Sequence, residues 1–262
     1  MTNSSDGNSP SIRPQLGVGF NRALPAPFAF DNGIKMDGVN DRYLIPLLNK
    51  ASFNFPANWS FEMWVNYNGE VFVSGAKDFF GAYTATSVRK FQVFHFSTGV
   101  ISVQYNGEGV GLVATLVTGR NHIVCTFDGT KGTIYLNGVT AQAATNWNNF
   151  PPPTGLNVNS SSNPNVISCA IKHDALRFYN VAMTPAQVAL NYNSGAGENP
   201  FATENLLLFF RFQEFEILDF SAFQDDTDMR LGIRDISGKY CHAAPVLMET
   251  VVGNAGYPFV PF

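Results

Sequence analysis

Charged residues are scarce in this chain. Asp, Glu, Lys and Arg make up 14% of its 262 residues, whereas an ordinary soluble domain has about 25%. So little charge is expected where a partner, or further copies of the same chain, cover part of the surface. The alternative is a large aromatic core that buries most of the 24 Phe, 9 Tyr and 3 Trp, and the composition leaves both explanations open.

Clusters of basic residues and long apolar runs are also absent. The net charge is -4 and no segment is rich in Lys and Arg, so nucleic acid is excluded as a partner. No segment reaches the length of about 18 apolar residues that a membrane span requires. Residues 1–10 lack a basic stretch followed by an apolar one, so we expect synthesis in the cytoplasm without a signal peptide.

Cysteine is rare, with three residues in all. Cys125 and Cys169 lie in apolar, strand-like runs, which favours free buried thiols over one disulfide with a third thiol left over. The four histidines show no metal-ligand spacing with the cysteines and are interpreted as packing residues. Phosphate-binding glycine loops and Gly-x-Ser-x-Gly turns are missing, which excludes nucleotide and esterase chemistry.

Short runs of alternating hydrophobicity occupy most of the chain from about residue 28 to 180. Asn, Gly, Asp and Pro separate them at the spacing of antiparallel strands in a sandwich. Asn137-Gly138 predicts a tight hairpin turn, because both residues adopt positive φ angles readily. Thr184, Pro185 and Gln187 predict a capped helix start, and Gly195 a helix end.

The ends of the chain have a different composition. Residues 1–27 are rich in Ser, Asn, Gly and Pro and are interpreted as an extended N-terminal arm. Residues 28–250 are predicted to form one β-sandwich, and residues 251–262 a C-terminal arm that contacts a neighbour.

Several motifs occur in an order that is similar to a known pattern. They are the segments 37–46, 59–65, 119–129, 133–139 and 174–188, which carry Trp-Ser-Phe-Glu-Met-Trp-Val, Cys-Thr-Phe-Asp-Gly, Tyr-Leu-Asn-Gly and Asp-Ala-Leu-Arg-Phe-Tyr-Asn among their residues. Together they resemble the laminin-G/concanavalin A-like jelly-roll family. The resemblance implies an all-β protein, an antiparallel β-sandwich with one short helix, here with extended terminal arms. Arg120 stands where the family usually has Trp.

The segments 206–214 and 235–240 resemble the family's opening strand and the turn after it, yet they come late in this chain. The first and last strands of a closed sandwich often lie side by side, so either end of the chain can fill the same position. We therefore predict that residues 206–240 supply the closing strands of a permuted jelly roll.

Aromatic side chains in loops are the predicted ligand-binding groups, because such sandwiches bind sugar rings or partner side chains by stacking. The candidates are Trp147, Phe150, Tyr83 and Tyr105, with Asn148 as a hydrogen-bonding partner for hydroxyl groups. The alternative for each aromatic residue is that it anchors its loop onto the core.

A structural Ca²⁺ is the only cofactor that the resemblance implies, because laminin-G-like domains often hold calcium at the rim of the sandwich through oxygen ligands. The weak candidates are Asp31, Asp37, Asp128, Asp225 and Asp228. The alternative is ordinary turn chemistry, since none of them follows a calcium-loop spacing.

Catalysis would require paired carboxylates. Glu214, Glu216 and Asp219 resemble the Glu-x-Asp-x-x-Glu strand of glucanases with the same sandwich, but the acid types are inverted. Glu214 is also explained by the strand resemblance of residues 206–214, so we expect a non-catalytic protein.

Two non-catalytic functions fit these observations, and an enzymatic one is kept as an alternative. The first is a structural subunit of a virus particle, such as a phage capsid decoration, head-fibre or tail component, whose partners are copies of itself or other subunits. The second is a carbohydrate-binding adhesion module that recognises a cell-surface glycan; a glycoside hydrolase is a third alternative. The expected location is a virion or an extracellular assembly.

Overall fold

The computed structural model describes residues 34–35, 42–46, 56–70, 75–83, 89–105, 108–147, 155–158, 169, 171–195, 205–211, 216–219, 229–232 and 244–246. They form two large antiparallel sheets and one α-helix. The predicted arms, residues 1–27 and 251–262, lie outside the described residues. The predicted antiparallel β-sandwich with one short helix is confirmed.

Sheet A contains seven strands. Six of them follow the order β1-β12-β3-β8-β9-β10, and the seventh, β13, also pairs with β12. Its strands are β1 (Ile34–Lys35), β3 (Trp59–Tyr67), β8 (Gly119–Phe127), β9 (Lys131–Leu136), β10 (Val139–Asn146), β12 (Lys172–Tyr179) and β13 (Leu206–Arg211).

Sheet B also contains seven strands, in the order β16-β2-β11-β4-β5-β6-β7. Its strands are β2 (Arg42–Pro46), β4 (Ala76–Tyr83), β5 (Arg89–Phe96), β6 (Val100–Tyr105), β7 (Glu108–Thr115), β11 (Gly155–Val158) and β16 (Ala244–Val246).

The segment predicted to close the sandwich, residues 206–240, is divided between two sheets. β13 runs antiparallel to β12, with Leu176 opposite Phe210. β14 (Glu216–Asp219) and β15 (Met229–Gly232) instead pair with each other in a separate two-stranded sheet. Residues 235–240 lie outside the described residues.

Strand alternation explains the core between the two sheets. From sheet A, Phe61 and Met63 of β3 and Ile123 of β8 point into this core. From sheet B, Phe80 of β4 and Val93 of β5 point into it. All five side chains are fully buried. The Phe61 and Phe80 rings stack with centroids 4.1 Å apart, joining the sheets. This core buries much of the aromatic content, so it accounts for part of the unusual composition. Cys125 and Cys169 are buried thiols that form no disulfide, as predicted.

The predicted hairpin turn is confirmed. Asn137 and Gly138 have φ angles of 52° and 78°, and Leu136 of β9 pairs directly with Val139 of β10. Two consecutive residues with positive φ match the twist of the flanking strands.

The helix α1 (Pro185–Tyr192) begins as the sequence predicts. The Thr184 hydroxyl accepts a hydrogen bond from the Gln187 backbone N–H at 3.3 Å, and the Gln187 side chain accepts one from the Thr184 N–H at 2.8 Å. The helix ends earlier than predicted, at Tyr192, because Asn193 adopts a left-handed conformation with φ 42°; a 3-10 turn then leads to Gly195. None of the helical segments described is long and apolar enough to span a membrane.

Replacing Thr184 with Ala is expected to lower the free energy of unfolding by about 1 kcal/mol, because the N-terminal amides of α1 lose their capping oxygen. Thr184 is exposed, so the substitution removes little packing. Chemical denaturation measures the loss. Thr130→Ala, at an exposed turn position whose described bonds use only the backbone, is the control; equal losses in both variants would contradict the capping role.

Candidate functional site

A cluster of buried polar side chains lies on the outer face of sheet A. Its centre is Glu62 of β3, which is opposite Arg177 of β12 in the strand register. Glu62 Oε1 accepts hydrogen bonds from Arg177 Nη1 at 2.9 Å and Trp64 Nε1 at 3.2 Å, and lies 3.0 Å from His122 Nε2. We call this group, with Tyr179 and Asn191, the Glu62 cluster.

The Glu62 cluster ties α1 to sheet A. Glu62 Oε2 accepts hydrogen bonds from the Tyr179 hydroxyl at 3.0 Å and from Asn191 Nδ2 of α1 at 2.9 Å. Met183 and Val188 pack beside it with Phe209, whose ring lies 4.9 Å from the Arg177 guanidinium. The polar bonds and the apolar contacts therefore fix the helix against the sheet.

Electrostatics keep Glu62 ionised. Burial alone would raise the pKa of its carboxyl group, but Arg177, followed by His122 and Tyr179, lowers the pKa to about 2. The pKa of His122 is lowered because burial disfavours the imidazolium more than Glu62 favours it, so a neutral His122 donates its Nε2–H to Glu62. A fully buried, permanently charged carboxylate is suited to holding the structure together.

Arg120, which stands where the family usually has Trp, makes a stacking contact of its own. Its guanidinium carbon lies 4.2 Å from the centre of the Trp64 ring, and its Nη1 donates to the Gly195 carbonyl at 2.8 Å. A planar guanidinium can stack on an indole as an aromatic ring would. Arg120 thus retains a stacking contact and also holds the turn after α1.

A second buried cluster lies where β3, β4 and β5 approach one another. Lys77 forms an ion pair with Glu70, and His95 Nε2 lies 3.8 Å from Glu70 Oε2. The His95 ring stacks on Phe79 with centroids 4.9 Å apart, and burial lowers its pKa to about 4. Since Lys77 and Glu70 pair with each other and all three side chains are mostly buried, the cluster is not an open ligand site.

The buried histidines predict loss of stability in acid. The pKa of His95 is lowered to about 4 and that of His173 to about 3, in each case chiefly by burial. Between pH 6.5 and 4 the unfolded chain therefore binds more protons than the folded one, so the free energy of unfolding falls as the pH falls. Denaturation at pH 7.5 and 5 should show this decrease, and His95→Gln should reduce its slope. A flat profile would contradict the assignment.

The outer face of sheet B carries a group of aromatic and polar side chains, which we call the β5 patch. It consists of Asp78 of β4, Gln92, Phe94 and Phe96 of β5, and Ser102 and Gln104 of β6. Phe91 and Val93 point into the core, so alternation places Gln92, Phe94 and Phe96 on the opposite face. The register sets Phe94 beside both Asp78 and Ser102.

The β5 patch combines aromatic rings with hydrogen-bonding groups. The Phe94 and Phe96 rings are partly exposed, with centroids 5.5 Å apart and planes at 75°. Gln92 donates a hydrogen bond to Asp78, and Gln92, Asp78 and Ser102 are buried, whereas Gln104 is partly exposed. An apolar ring surface next to a partly exposed amide side chain can bind a ligand that has an apolar face and a polar rim.

Sequence reasoning missed the β5 patch, although a signal was present. Phe91-Gln92-Val93 alternates with its apolar residues on the core face, whereas Phe94-His95-Phe96 reverses that phase. A strand whose other face carries two Phe residues is unusual for a solvated sheet surface. The composition left the location of the Phe residues open, and this reversal is the signal that places two of them outside the core.

Trp147 corrects the predicted ligand site. It is 4% exposed, and its ring stacks on Phe127 with centroids 6.0 Å apart and packs against Trp59 and Phe91. The prediction of an exposed stacking surface at Trp147 is wrong, because the ring occupies the space that Gly132 leaves on β9. The alternative, an aromatic residue that anchors its loop onto the core, is the one found.

The other predicted binding residues do not form a described site with Trp147. Tyr83 is the last residue of β4 and Tyr105 the last residue of β6. Phe150 and Asn148 lie outside the described residues. Their role in binding stays a prediction.

Of the five calcium candidates only Asp128 lies among the described residues, and a structural Ca²⁺ stays a prediction. Asp128 is exposed, and its Oδ1 accepts hydrogen bonds from the Thr130 and Lys131 backbone N–H groups at 2.9 and 2.7 Å, which is the turn chemistry given above as the alternative. No group of three or more His, Cys, Asp or Glu residues able to hold a metal occurs among the described residues. The remaining candidates, Asp31, Asp37, Asp225 and Asp228, lie outside them.

The two predicted catalytic carboxylates among the described residues are not on a strand of either large sheet. Glu216 and Asp219 are the two ends of β14, opposite Gly232 and Met229 of β15, and Glu214 lies outside the described residues. A glucanase-like arrangement would need them on a sandwich strand that lines a cleft, and β14 is not such a strand.

Comparison with known families identifies the fold. Residues 37–189, more than half of the chain, match the concanavalin A-like lectin/glucanases superfamily. The chain belongs to this superfamily. The resemblance in the sequence motifs is therefore confirmed, and the matched region contains the β5 patch and every residue of the Glu62 cluster except Asn191. No curated protein sequence matches the chain.

Solved structures with the same fold are distant in sequence. A protein from Bacteroides ovatus described as a "putative carbohydrate binding protein" is 17% identical with a TM-score of 0.55, over 81% of this superfamily member and 58% of that protein. The Trypanosoma rangeli sialidase is 14% identical with a TM-score of 0.50, over 64% of this chain and 28% of the sialidase. The chain thus spans less than two thirds of either protein, and the likeness shows the fold alone.

Proposed function

We propose that this protein is a non-catalytic carbohydrate-binding module and that the β5 patch is its binding surface. The observation that supports the proposal is the placement of two partly exposed Phe rings on the outer face of sheet B, with the partly exposed Gln104 on the neighbouring strand. Sugar rings present C–H groups on their faces and hydroxyl groups around the rim, so they need both kinds of contact. The carbohydrate-binding description of the Bacteroides ovatus structure agrees with this proposal.

A non-catalytic role is supported by the state of the carboxylates. Glu62 is buried with a pKa of about 2, so it cannot serve as a proton donor at neutral pH. Asp78 is also buried and hydrogen-bonded to Gln92. A hydrolase would need two carboxyl groups facing one bond of the substrate, and neither residue is placed for that role.

A glycan array probed with the purified protein tests the proposal. We expect selective binding that is lost in Phe94→Ala and in Gln104→Ala and retained in Leu190→Ala. Leu190 is 65% exposed on α1, so this variant is a matched control for removal of a surface hydrophobic side chain. Binding that is unchanged in both patch variants would overturn the site, and release of shortened glycans during incubation would overturn the non-catalytic role.

The predicted role as a virus-particle subunit stays a prediction. Light scattering on the same purified protein tests the assembly role, because it gives the mass of the protein in solution. A folded oligomer that binds no glycan would favour the assembly role over the carbohydrate-binding role.

A further inference from the structure

Asn-Gly dipeptides occur four times in the chain, at 32–33, 68–69, 106–107 and 137–138. Glycine has no side chain, so its backbone nitrogen is the least hindered one that can follow an asparagine. Two of the four, Asn68-Gly69 and Asn137-Gly138, lie among the described residues. We propose that Asn68-Gly69 is a site of spontaneous covalent modification, at which the fold promotes conversion of the Asn68 amide to a carboxylate, whereas the fold protects Asn137.

The modification consumes one water and releases one ammonia. The Gly69 backbone nitrogen loses its proton to a base in solution and forms a bond to Asn68 Cγ, which gives a cyclic imide. The bond between Cγ and Nδ2 breaks, and the Nδ2 nitrogen takes up a proton and leaves as ammonia. Water then adds to one of the two imide carbonyl carbons and breaks the bond from that carbon to the Gly69 nitrogen. Attack at Cγ gives aspartate, and attack at the backbone carbonyl carbon gives isoaspartate, whose main chain runs through Cγ.

The geometry at Asn68 favours this reaction. Its side chain is exposed, so water reaches the amide. Asn68 Oδ1 accepts a hydrogen bond from the Glu70 backbone N–H at 3.0 Å. This bond closes a turn in which Cγ lies beside the intervening Gly69 nitrogen. The same N–H donor stabilises the negative charge that develops on Oδ1 when that nitrogen attacks.

The geometry at Asn137 opposes the reaction. Asn137 Oδ1 accepts a hydrogen bond from the His122 backbone N–H of β8 at 2.8 Å, and the Asn137 N–H donates to the His122 carbonyl at 2.8 Å. Both bonds hold the residue against a neighbouring strand. Turning Cγ toward the Gly138 nitrogen would break the first of them and leave the N–H of a buried residue without an acceptor, which is unfavourable.

The space around the two glycines differs in the same direction. Imide formation rotates the peptide that links asparagine to glycine, so the glycine must be able to shift. A Cβ atom built on Gly69 would meet its nearest neighbour, Thr118 Oγ1, at 3.5 Å, an ordinary contact distance. A Cβ atom built on Gly138 would lie 2.7 Å from the Tyr192 ring, so that ring leaves no room. Of the two glycines, Gly69 is therefore the one with space to move.

Conversion at Asn68 changes the loop that connects β3 to the ion pair of Glu70 and Lys77. The Glu70 carbonyl accepts a hydrogen bond from the Tyr67 hydroxyl at 3.0 Å, and the Glu70 carboxylate pairs with Lys77. Either product adds a negative charge close to Glu70, and isoaspartate also lengthens the main chain before it by one carbon atom. The modification therefore alters both the charge and the backbone spacing beside this ion pair.

Peptide mapping of aged protein tests the inference, because trypsin separates the four dipeptides. They fall in the tryptic peptides 23–35, 51–77, 91–120 and 132–172. Folded protein and protein in urea are incubated side by side at mildly alkaline pH. Mass spectrometry follows the fraction of each peptide that has gained the mass of an amide-to-acid conversion, and an isoaspartate methyltransferase assay on the 51–77 peptide identifies the second product.

In the folded protein we expect conversion at Asn68 to be faster than at Asn137 by about tenfold, a difference of about 1.4 kcal/mol in activation free energy. In urea we expect the two rates to be similar, because the contacts that distinguish the sites are lost. Equal rates in the folded protein would overturn the inference. An unchanged tenfold ratio in urea would overturn it too, since the fold would then not select the site.

Asn68→Gln is the matched variant for assigning the reaction to Asn68. It keeps a side-chain amide but adds a methylene group, so the Gly69 nitrogen can no longer close the same small ring. We expect the 51–77 peptide of this variant to keep its mass, with circular dichroism as the check on folding. The peptide also contains Asn54, Asn58 and Asn66, and continued conversion in the variant would place the reaction at one of them and overturn the assignment.

Discussion

Trp147→Ala is expected to lower the free energy of unfolding by about 3–5 kcal/mol, the usual cost of truncating a large buried aromatic side chain. Trp147 is 4% exposed and contacts Trp59, Phe91 and Phe127. Its removal would leave a cavity at the end of the core, where β9 and β10 pair. Urea denaturation monitored by circular dichroism measures the loss.

Adding a side chain at Gly132 of β9 tests the same packing from the strand that faces the Trp147 ring. A Cβ atom added at Gly132 would overlap the indole of Trp147, so Gly132→Ala should also destabilise the protein, by about 1–3 kcal/mol. Leu190→Ala, which truncates a side chain that is 65% exposed, should change the free energy by less than about 0.5 kcal/mol. If Trp147→Ala were as mild as Leu190→Ala, the buried placement of the ring would be wrong.

Trp147 also shows where sequence reasoning fails. The residue precedes a segment rich in Asn and Pro, and this local pattern predicted a loop with an exposed aromatic ring. Its burial depends on Gly132, fifteen positions earlier, which leaves space for the indole across a strand pair. Such a pairing of a large with a small residue depends on register, and the sequence shows neither the register nor its bulges.

Local features were predictable because their causes are local. The Asn137-Gly138 turn follows from backbone preferences of two adjacent residues, and the Thr184 cap follows from one side chain and the amide three positions later. The core face of β8 followed from simple alternation. These parts of the fold need no knowledge of distant residues.

The Glu62 cluster could not be predicted from the sequence, because its contacts join residues that are far apart in the chain. Glu62 and Arg177 both belong to the motifs that resemble the family, but they are 115 positions apart. Neither motif indicates that they face each other across neighbouring strands, or that Asn191 of α1 completes the group. The sequence therefore gives no sign that α1 packs on this part of the outer face of sheet A.

Separating Glu62 from Arg177 is the second change with a large expected effect. Arg177→Met should lower the free energy of unfolding by about 3–5 kcal/mol at pH 7, because it leaves a buried carboxylate without its cation. Glu62→Gln should also destabilise, since Arg177 is then the unpaired charge. Lys131→Met, at an exposed position, is the control for removing a positive charge.

The double variant and the pH dependence give this prediction its sharpest test. Glu62→Gln with Arg177→Met removes both charges, so it should be more stable than the sum of the single losses implies. Without Arg177 the pKa of Glu62 should rise above its ordinary value, so the deficit of Arg177→Met relative to the unsubstituted protein should shrink as the pH falls from 7 to 4. His95 and His173 titrate in both proteins and cancel from this difference, whereas the pKa of His122 should rise without Arg177 and adds to the recovery at low pH. A deficit that is constant with pH, together with additive losses in the double variant, would mean that Arg177 acts through packing against Phe209 and not as the partner that keeps Glu62 charged.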